Sequence, residues 1–239
     1  MICVSCKSSL TGKFCSNCGE KSGTPKITFK STIHSSLTTI TNMDKGFLYN
    51  IKNLTIKPKV IVQEYINGKR KGIFNPISFL IISITAYLIL ESVLKPNNIA
   101  TQEQIKTFRE ELSFKIGSSG GQFIKDYFKF FWILNILPLS ILTKIFFKRY
   151  NLAEHITINS FILGYITLIF GSISLITFKY SLIFNPVIYI ALIWYIYRVF
   201  HDKNEKLASL LIAALIVFLF ILSVIAFIIS IGAVKLYIN

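Results

Sequence analysis

The amino-acid sequence predicts an all-α polytopic membrane protein with about five transmembrane helices and a small cysteine-rich segment at its N-terminus. Three observations carry this prediction: the apolar composition, a set of long uncharged runs, and cysteines confined to the first 18 residues. Of the 239 residues, 53% are hydrophobic and only 15% are charged, and the mean hydropathy is +0.59. A soluble domain carries roughly a quarter charged residues. The composition therefore excludes a disordered chain, a collagen-like fibre and an ordinary soluble enzyme.

Long apolar runs occupy most of the chain after residue 72, which predicts a helical membrane domain over residues 73–239. A helix needs about 20 apolar residues to cross the hydrocarbon core, and backbone groups in lipid must hydrogen-bond within their own segment. The runs predict five spans, at approximately 73–94, 128–147, 156–178, 180–200 and 207–234. The second is short and contains Pro138, and the fifth is long enough to tilt or extend beyond the bilayer. A soluble helical bundle is disfavoured because the longest runs lack a polar face.

Basic residues are concentrated before the first span. The formal net charge is +15, and residues 1–76 hold 12 Lys or Arg against three acidic residues. A basic segment of this kind binds either nucleic acid or the anionic face of a membrane. The apolar runs that follow it favour the membrane. A cytoplasmic N-terminus places 18 Lys and Arg inside and eight outside. The positive-inside rule therefore predicts a multi-pass protein of the cytoplasmic membrane, with the N-terminus in the cytoplasm and the C-terminus outside.

Four cysteines form the most specific motif in the chain. Cys3-x2-Cys6 and Cys15-x2-Cys18 are separated by eight residues, and the sequence before and between them has no apolar stretch typical of a secretory signal. In a reducing compartment, two such pairs are typical of one tetrahedral metal site. Residues 1–22 are therefore predicted to be a zinc ribbon around a structural Zn²⁺, because a closed four-thiolate shell leaves no position for a substrate. Iron accepts the same ligands and stays open as the alternative.

A glycine after the second cysteine pair suits the sharp turn of such a site. Gly19 lets the backbone bend towards the sulfurs, whereas Lys7 occupies the equivalent position after the first pair. The first turn is therefore expected to be the less ideal of the two.

Residues 23–72 are predicted to form basic amphipathic helices beside the membrane. Apolar residues recur at helical spacing in three stretches, 29–40, 47–54 and 60–66. The last stretch ends at Asn67-Gly68, and the basic residues 69–71 directly precede the first span. Such helices either lie among anionic headgroups in the membrane interface or pack on the cytoplasmic ends of the spans, and the sequence leaves both open.

Asparagine followed by proline precedes two of the predicted spans, at Asn75-Pro76 and Asn185-Pro186. The near-identical surroundings of the two pairs are consistent with an internal repeat of the kind found in transporters. They are equally consistent with two helix N-termini, in which Asn is the cap and Pro occupies the first turn. The capping interpretation is favoured, because five spans do not divide into equal halves.

Glu154 and His155 form a polar pair at the start of the third span. A carboxylate and an imidazole at a membrane boundary are able to relay protons or bind a metal. The alternative is that Glu154 stabilises the helix N-terminus, where negative charge is favoured. Further along the same span, Ser160, Gly164 and Gly171 predict a closely packed helix face.

The order of these motifs resembles a family of bacterial integral membrane proteins of unknown function with an N-terminal four-cysteine zinc ribbon. The resemblance extends over essentially the whole chain and rests on five segments: Phe14–Gly19, Asp44–Phe47, Tyr65–Arg70, Phe74–Pro76 and Tyr150–His155. It implies the same architecture and a location in the bacterial inner membrane. The family has no established activity, so the resemblance implies no catalytic residues.

We predict a non-enzymatic adaptor or scaffold, whose ribbon and basic helices contact lipid headgroups or a cytoplasmic protein partner. The sequence contains no Walker loop, no HExxH or GxSxG motif and no nucleophile–base arrangement. A small-molecule transporter is the first alternative, and it predicts a polar cavity between the third and fourth spans. A membrane enzyme acting on lipid-like substrates is the second alternative. Nucleic-acid binding by the ribbon is not expected.

Overall fold

A computed structural model describes residues 2–9, 12–22, 28, 46–94, 127, 130–178, 182–201 and 206–238. Within this part the chain is all-α apart from two isolated β-bridges in the cysteine-rich segment. The described helices are α1 (Gly46–Ile56), α2 (Pro58–Ile66), α3 (Pro76–Leu94), α4 (Ile136–Phe146), α5 (Leu152–Ile166), α6 (Pro186–Phe200) and α7 (Lys206–Ile238). Helical residues from Phe130 precede α4, and α5 continues through a π-helical turn, Thr167–Gly171, into Ser172–Phe178. The predicted helix at 29–40 lies outside the described residues.

Five of these helices coincide with the five predicted spans. Three are long and apolar enough to cross a membrane: Pro76–Leu94, Leu152–Thr177 and Lys206–Val234. Phe130–Phe146 and Pro186–Phe200 are apolar but shorter. The 15 residues of α6 extend for about 22 Å, against a hydrocarbon core of about 30 Å. By the length and composition of its helices, the chain is a multi-pass membrane protein with three long candidate spans and two short ones.

Asparagine side chains cap the first turns of α3 and α6. Asn75 Oδ1 accepts hydrogen bonds from the backbone amides of Ile77 (3.0 Å) and Ser78 (3.2 Å). Asn185 Oδ1 accepts one from the Val187 amide at 3.0 Å. The capping interpretation of the two Asn-Pro pairs is therefore confirmed.

The starts of α5 and α6 differ most clearly from the predicted spans because local capping sets them. α5 begins at Leu152 instead of residue 156, because polar side chains at its N-terminus form a capping box. α6 begins at Pro186 instead of residue 180, because Leu182–Phe184 form a short 3-10 turn and Asn185 is the cap. Apolar composition locates a span, but capping side chains decide where its helix begins.

Pro138 interrupts the second span without ending it. Proline has no amide hydrogen to donate to the Leu134 carbonyl, and the chain forms a turn at Asn135 before α4 continues. Asn135 Nδ2 donates to the Phe131 carbonyl at 2.9 Å, so the break is lined by a satisfied polar side chain.

α3 and α5 run in the same direction and pack closely. A side chain at Gly164 would place its Cβ 2.9 Å from Phe79 Cδ1, and one at Gly171 would place it 3.3 Å from Tyr87 Cδ2. Gly164 meets Phe79, and the later Gly171 meets the later Tyr87, so the contacts move along both helices in the same direction. Two parallel helices show this order. The two glycines let the helices approach, which confirms the closely packed face that the sequence predicts.

α4 and α5 run in opposite directions. Trp132 Nε1, before α4, donates to Thr167 Oγ1 at 2.9 Å, whereas Asn159 Nδ2 donates to Thr143 Oγ1 at 2.9 Å. A residue early in the second span therefore contacts a residue late in the third span, and a later residue of the second span contacts an earlier residue of the third. Polar groups paired in this way hold helices together where lipid offers no hydrophobic driving force.

The fourth and fifth spans, α6 and α7, also run in opposite directions to their predecessors in the chain. Phe200, at the end of α6, stacks on His155 near the start of α5, with ring centroids 5.2 Å apart. α7 begins beside that end of the bundle, and its Phe227 stacks on Phe131 at 5.5 Å, at the opposite end. The five helices therefore alternate in direction along the chain, as successive crossings of one bilayer do.

α5 is the central helix of the bundle. Every side chain from Ala153 to Ile166 is buried, whereas α3 and α7 each expose a broad apolar surface. A helix buried on all faces has no polar stripe, and this explains why the sequence of α5 shows none. The exposed apolar surfaces of α3 and α7 are those expected to face lipid.

The α1–α2 hairpin packs against this bundle. Thr55 Oγ1 lies 2.8 Å from Tyr165 Oη of α5, and the Tyr65 ring contacts the Phe161 ring edge-on at 5.5 Å. Asn50 is buried and forms two hydrogen bonds with the backbone of Phe74, which fastens α1 to the segment before α3. Packing on the spans, one of the two arrangements that the sequence leaves open, is therefore observed, and contact of these helices with anionic headgroups stays a prediction.

Candidate metal centre

The first cysteine pair lies on a tight turn. The Cys3 amide donates to the Ser8 carbonyl at 2.8 Å, and the Lys7 amide donates to the Cys3 carbonyl at 3.0 Å. Lys7 adopts a left-handed φ of 64°, which costs a residue with a side chain about 1 kcal/mol. The turn that the sequence marks as less ideal therefore has the required geometry at the cost of backbone strain.

The second pair repeats the first turn at an offset of 12 residues. The Cys15 amide donates to the Glu20 carbonyl at 2.7 Å, and the Gly19 amide donates to the Cys15 carbonyl at 2.7 Å. Gly19 has a φ of 70°, which a glycine adopts without a steric penalty. Each turn is closed by one β-bridge, Ile2 to Ser9 and Phe14 to Lys21. The segment is thus two equivalent turns facing each other.

The four sulfurs converge on one point. All lie within 4.8 Å of one another, and the pairs Cys3–Cys18 and Cys6–Cys15 are each 3.5 Å apart. A tetrahedral Zn²⁺ with Zn–S bonds of about 2.3 Å requires sulfurs about 3.8 Å apart. Cys3 and Cys15 are buried, which shields the site from solvent. The four thiols therefore fit a divalent metal ion such as zinc.

Ser8 contributes a polar contact that the sequence analysis missed. Its Oγ lies 2.9 Å from Cys6 Sγ and 3.1 Å from Cys15 Sγ. A hydrogen bond from this hydroxyl stabilises the thiolate and lowers the pKa of Cys15 to about 6. At Cys18, a backbone hydrogen bond from Glu20 lowers the pKa, but burial and the three neighbouring thiols outweigh it and raise the value to about 12. Four thiols this close ionise together only with a cation between them.

Glu20 joins the cysteine-rich segment to the membrane domain. Its carboxylate is buried, 7% exposed, and Oε2 accepts hydrogen bonds from Ser5 Oγ (2.7 Å) and from the backbone amide of Lys71 (3.1 Å). Lys71 Nζ also lies 2.9 Å from where a Cβ on Gly19 would be. Ser8 and Glu20 occupy equivalent positions in the two turns. The 12-residue repeat in the sequence is therefore the signal that would have identified these two residues.

Glu154 and His155 have different partners. Glu154 and Asn151 form a capping box: Asn151 Oδ1 accepts from the Glu154 amide at 2.9 Å, and Glu154 Oε2 accepts from the Asn151 amide at 2.7 Å. His155 is buried, and its Nε2 lies 3.0 Å from the Phe147 carbonyl. The structure confirms capping by Glu154. A joint chemical role of the two residues stays a prediction.

Substitution of Glu154 tests its capping role. Glu154→Ala is expected to reduce the free energy of unfolding by about 1 kcal/mol, because the Asn151 amide loses its acceptor. Glu154→Gln is expected to leave stability nearly unchanged, because glutamine also completes a capping box. Thermal unfolding of both variants in the same detergent is the measurement. Equal losses in the two would show that the charge, rather than the hydrogen bond, matters.

Aromatic rings form several of the contacts described between the third and fourth spans. Tyr165 and Tyr195 lie 5.1 Å apart, and Phe170 contacts Tyr195 at 6.2 Å. A buried polar contact is also present, because Asn185 Nδ2 donates to Ser174 Oγ. The polar cavity that the transporter alternative predicts here stays a prediction.

One family model matches the chain, and it covers the hairpin and most of the first span. Residues 44–88 match the family described as Protein of unknown function (DUF3667). The matched segment includes α1, α2 and the Asn75 cap, and it excludes the four cysteines and the Glu154 capping box. Comparisons with curated proteins and with solved structures find no match.

Proposed function

We propose that the protein is a non-enzymatic scaffold of the bacterial inner membrane, in which a cytoplasmic structural zinc ribbon is fastened to the start of the first span. The observation that carries this proposal is the closed four-thiol cluster joined to the membrane domain through Glu20. Catalytic zinc sites keep one position for water or substrate, whereas four cysteine ligands leave none. The metal's role is therefore to fold a segment too small to fold alone.

The basic residues support a cytoplasmic position for the ribbon. α5 and α3 begin at the same side of the bundle, and the ribbon contacts the segment just before α3. Lys144, Lys148 and Arg198 lie at this side, at the ends of α4 and α6. The positive-inside rule assigns this side to the cytoplasm. The ribbon and the basic segment 69–71 then face anionic headgroups or a cytoplasmic protein partner.

The proposal is tested by reporter fusions and in-cell cross-linking. Reporters at the N-terminus and C-terminus are expected to be active in the cytoplasm and periplasm, respectively. Cross-links from residues 69–71 to a cytoplasmic partner or to lipid are expected to disappear in Cys15→Ser and persist in Ser16→Ala, at equal protein levels. An N-terminal reporter active in the periplasm contradicts the orientation. Cross-links that survive loss of the metal contradict the scaffold role of the ribbon.

Removal of the Glu20 carboxylate tests how the ribbon is fastened. Glu20→Ala is expected to leave the metal content unchanged and to speed hydrogen exchange of the Lys71 amide about tenfold or more, because that amide loses a charged acceptor. Glu64→Ala, which removes a half-buried ion pair with Lys69, is the matched control. An unchanged exchange rate at Lys71 in Glu20→Ala would show that the contact does not hold the ribbon.

A further inference from the structure

A groove opens between the end of α4 and the start of α5. Its volume is about 540 Å³, and it is lined by Ile141, Lys144, Ile145, Lys148 and Leu152. The first four residues follow the spacing i, i+3, i+4 and i+7, so they form one continuous stripe on α4 and the turn after it. The groove lies at the side of the bundle that holds the ends of α4 and α6.

The stripe combines an exposed apolar surface with two cations. Ile141 is 50% exposed and Ile145 is 57% exposed, and both line the groove together with Leu152 of α5. Both lysines are exposed, and within the described residues no carboxylate pairs with either of them. The acid closest in sequence is Glu154, and its carboxylate already accepts the Asn151 amide. The groove therefore combines apolar side chains with two cations, which alternate along α4 and the turn after it.

We propose that this groove binds one anionic phospholipid. The two isoleucines contact an acyl chain, and Lys144 and Lys148 bind the phosphate. Basic pockets between spans on the cytoplasmic side are sites where anionic headgroups bind. The assignment to the cytoplasmic leaflet rests on the orientation under the proposed function.

A lipid matches the groove better than a free anion or an apolar molecule. A free phosphate would contact the lysines and leave the isoleucines exposed, and a neutral lipid would leave two cations without a partner. Only a molecule with a chain and an anionic group in sequence satisfies both parts. The predicted span ends at residue 147, so the groove lies where the apolar run gives way to the basic residues Lys148 and Arg149.

The test uses the purified full-length protein in a neutral detergent, titrated with short-chain phosphatidylglycerol and followed by native mass spectrometry. The wild type is expected to bind one phosphatidylglycerol, and the double variant Lys144→Gln/Lys148→Gln is expected to bind it about tenfold more weakly. Lys52→Gln/Lys57→Gln changes the net charge equally on the α1–α2 hairpin and is expected to bind like the wild type. Phosphatidylcholine and glycerol phosphate are both expected to bind more weakly than phosphatidylglycerol.

Three results would overturn the proposal. Equal weakening by the two double variants would show diffuse electrostatic attraction instead of a site. Equal binding of phosphatidylcholine would show that the lysines do not contribute, and equal binding of glycerol phosphate would show that the acyl chain does not. Detergent-solubilised protein has no sidedness, so these outcomes are independent of the orientation and scaffold tests.

Discussion

Cys15→Ser is expected to remove the bound metal and unfold residues 2–22, while the membrane helices stay folded. The wild-type protein is expected to contain one equivalent of zinc, because its four sulfurs already lie at tetrahedral separations. A structural zinc site of this kind contributes about 10–16 kcal/mol of apparent binding free energy, far more than a segment of this size gains from its apolar contacts. Loss of one thiolate therefore removes the interaction on which the segment depends.

Metal analysis of the purified protein is the measurement, with limited proteolysis to report on residues 2–22. Ser16→Ala, which changes an exposed neighbour, is the control and is expected to retain full zinc. Iron in place of zinc would support the alternative metal without changing the ligand set. A Cys15→Ser variant with a full equivalent of metal would contradict the four-thiolate site.

Gly164→Leu is expected to reduce the free energy of unfolding by more than about 3 kcal/mol. Even a Cβ at this position would lie 2.9 Å from Phe79 Cδ1 and 3.1 Å from the backbone Cα of Leu80. The Leu80 backbone cannot move aside without shifting α3. Overpacking of a core costs about 1–3 kcal/mol per small insertion, which exceeds the gain of up to about 1 kcal/mol in helix propensity.

Gly171→Ala is the matched control. Gly171 lies in the π-helical turn that continues α5, and an added Cβ there would contact only side chains. Its Cβ would lie 3.0 Å from Leu182 Cδ1 and 3.3 Å from Tyr87 Cδ2, and both atoms belong to side chains able to adjust. We expect a change within about 1 kcal/mol. The measurement is thermal unfolding in detergent. Equal stability of Gly164→Leu and the wild type would show that α3 and α5 are not packed as described.

The three long candidate spans and the two shorter apolar helices were predictable because lipid makes the same demand on every segment that crosses it. Backbone groups without water must bond within a helix, so a run of apolar residues is sufficient to identify each one. The Asn75 and Asn185 caps were predictable for a similar reason, because capping depends on neighbours in sequence. Where the structure differs, as at the start of α6, a local cap and a 3-10 turn decide the boundary.

Long-range contacts were not predictable from the same pattern. The amphipathic spacing of α1 is compatible with a lipid interface or a protein surface, and its packing on Tyr165, 110 residues away, does not follow from that spacing. The four cysteines were identifiable by spacing, but Glu20 appeared only as a charge near them. Its role arises because folding brings Lys71, 51 residues later, to its carboxylate.

The packing of α1 has a consequence for biosynthesis. The Leu54 carbonyl accepts a hydrogen bond from Tyr195 Oη, a residue 141 positions later in the chain. At a synthesis rate of roughly 5–20 residues per second, α1 leaves the ribosome roughly 7–28 seconds before that partner. The cysteine-rich segment and its contact at Lys71 are synthesised much earlier, so the nascent chain carries this whole segment while the α1–α2 hairpin still lacks its later partners. We expect the apolar residues of the hairpin to become fully covered only after the third and fourth spans have been synthesised.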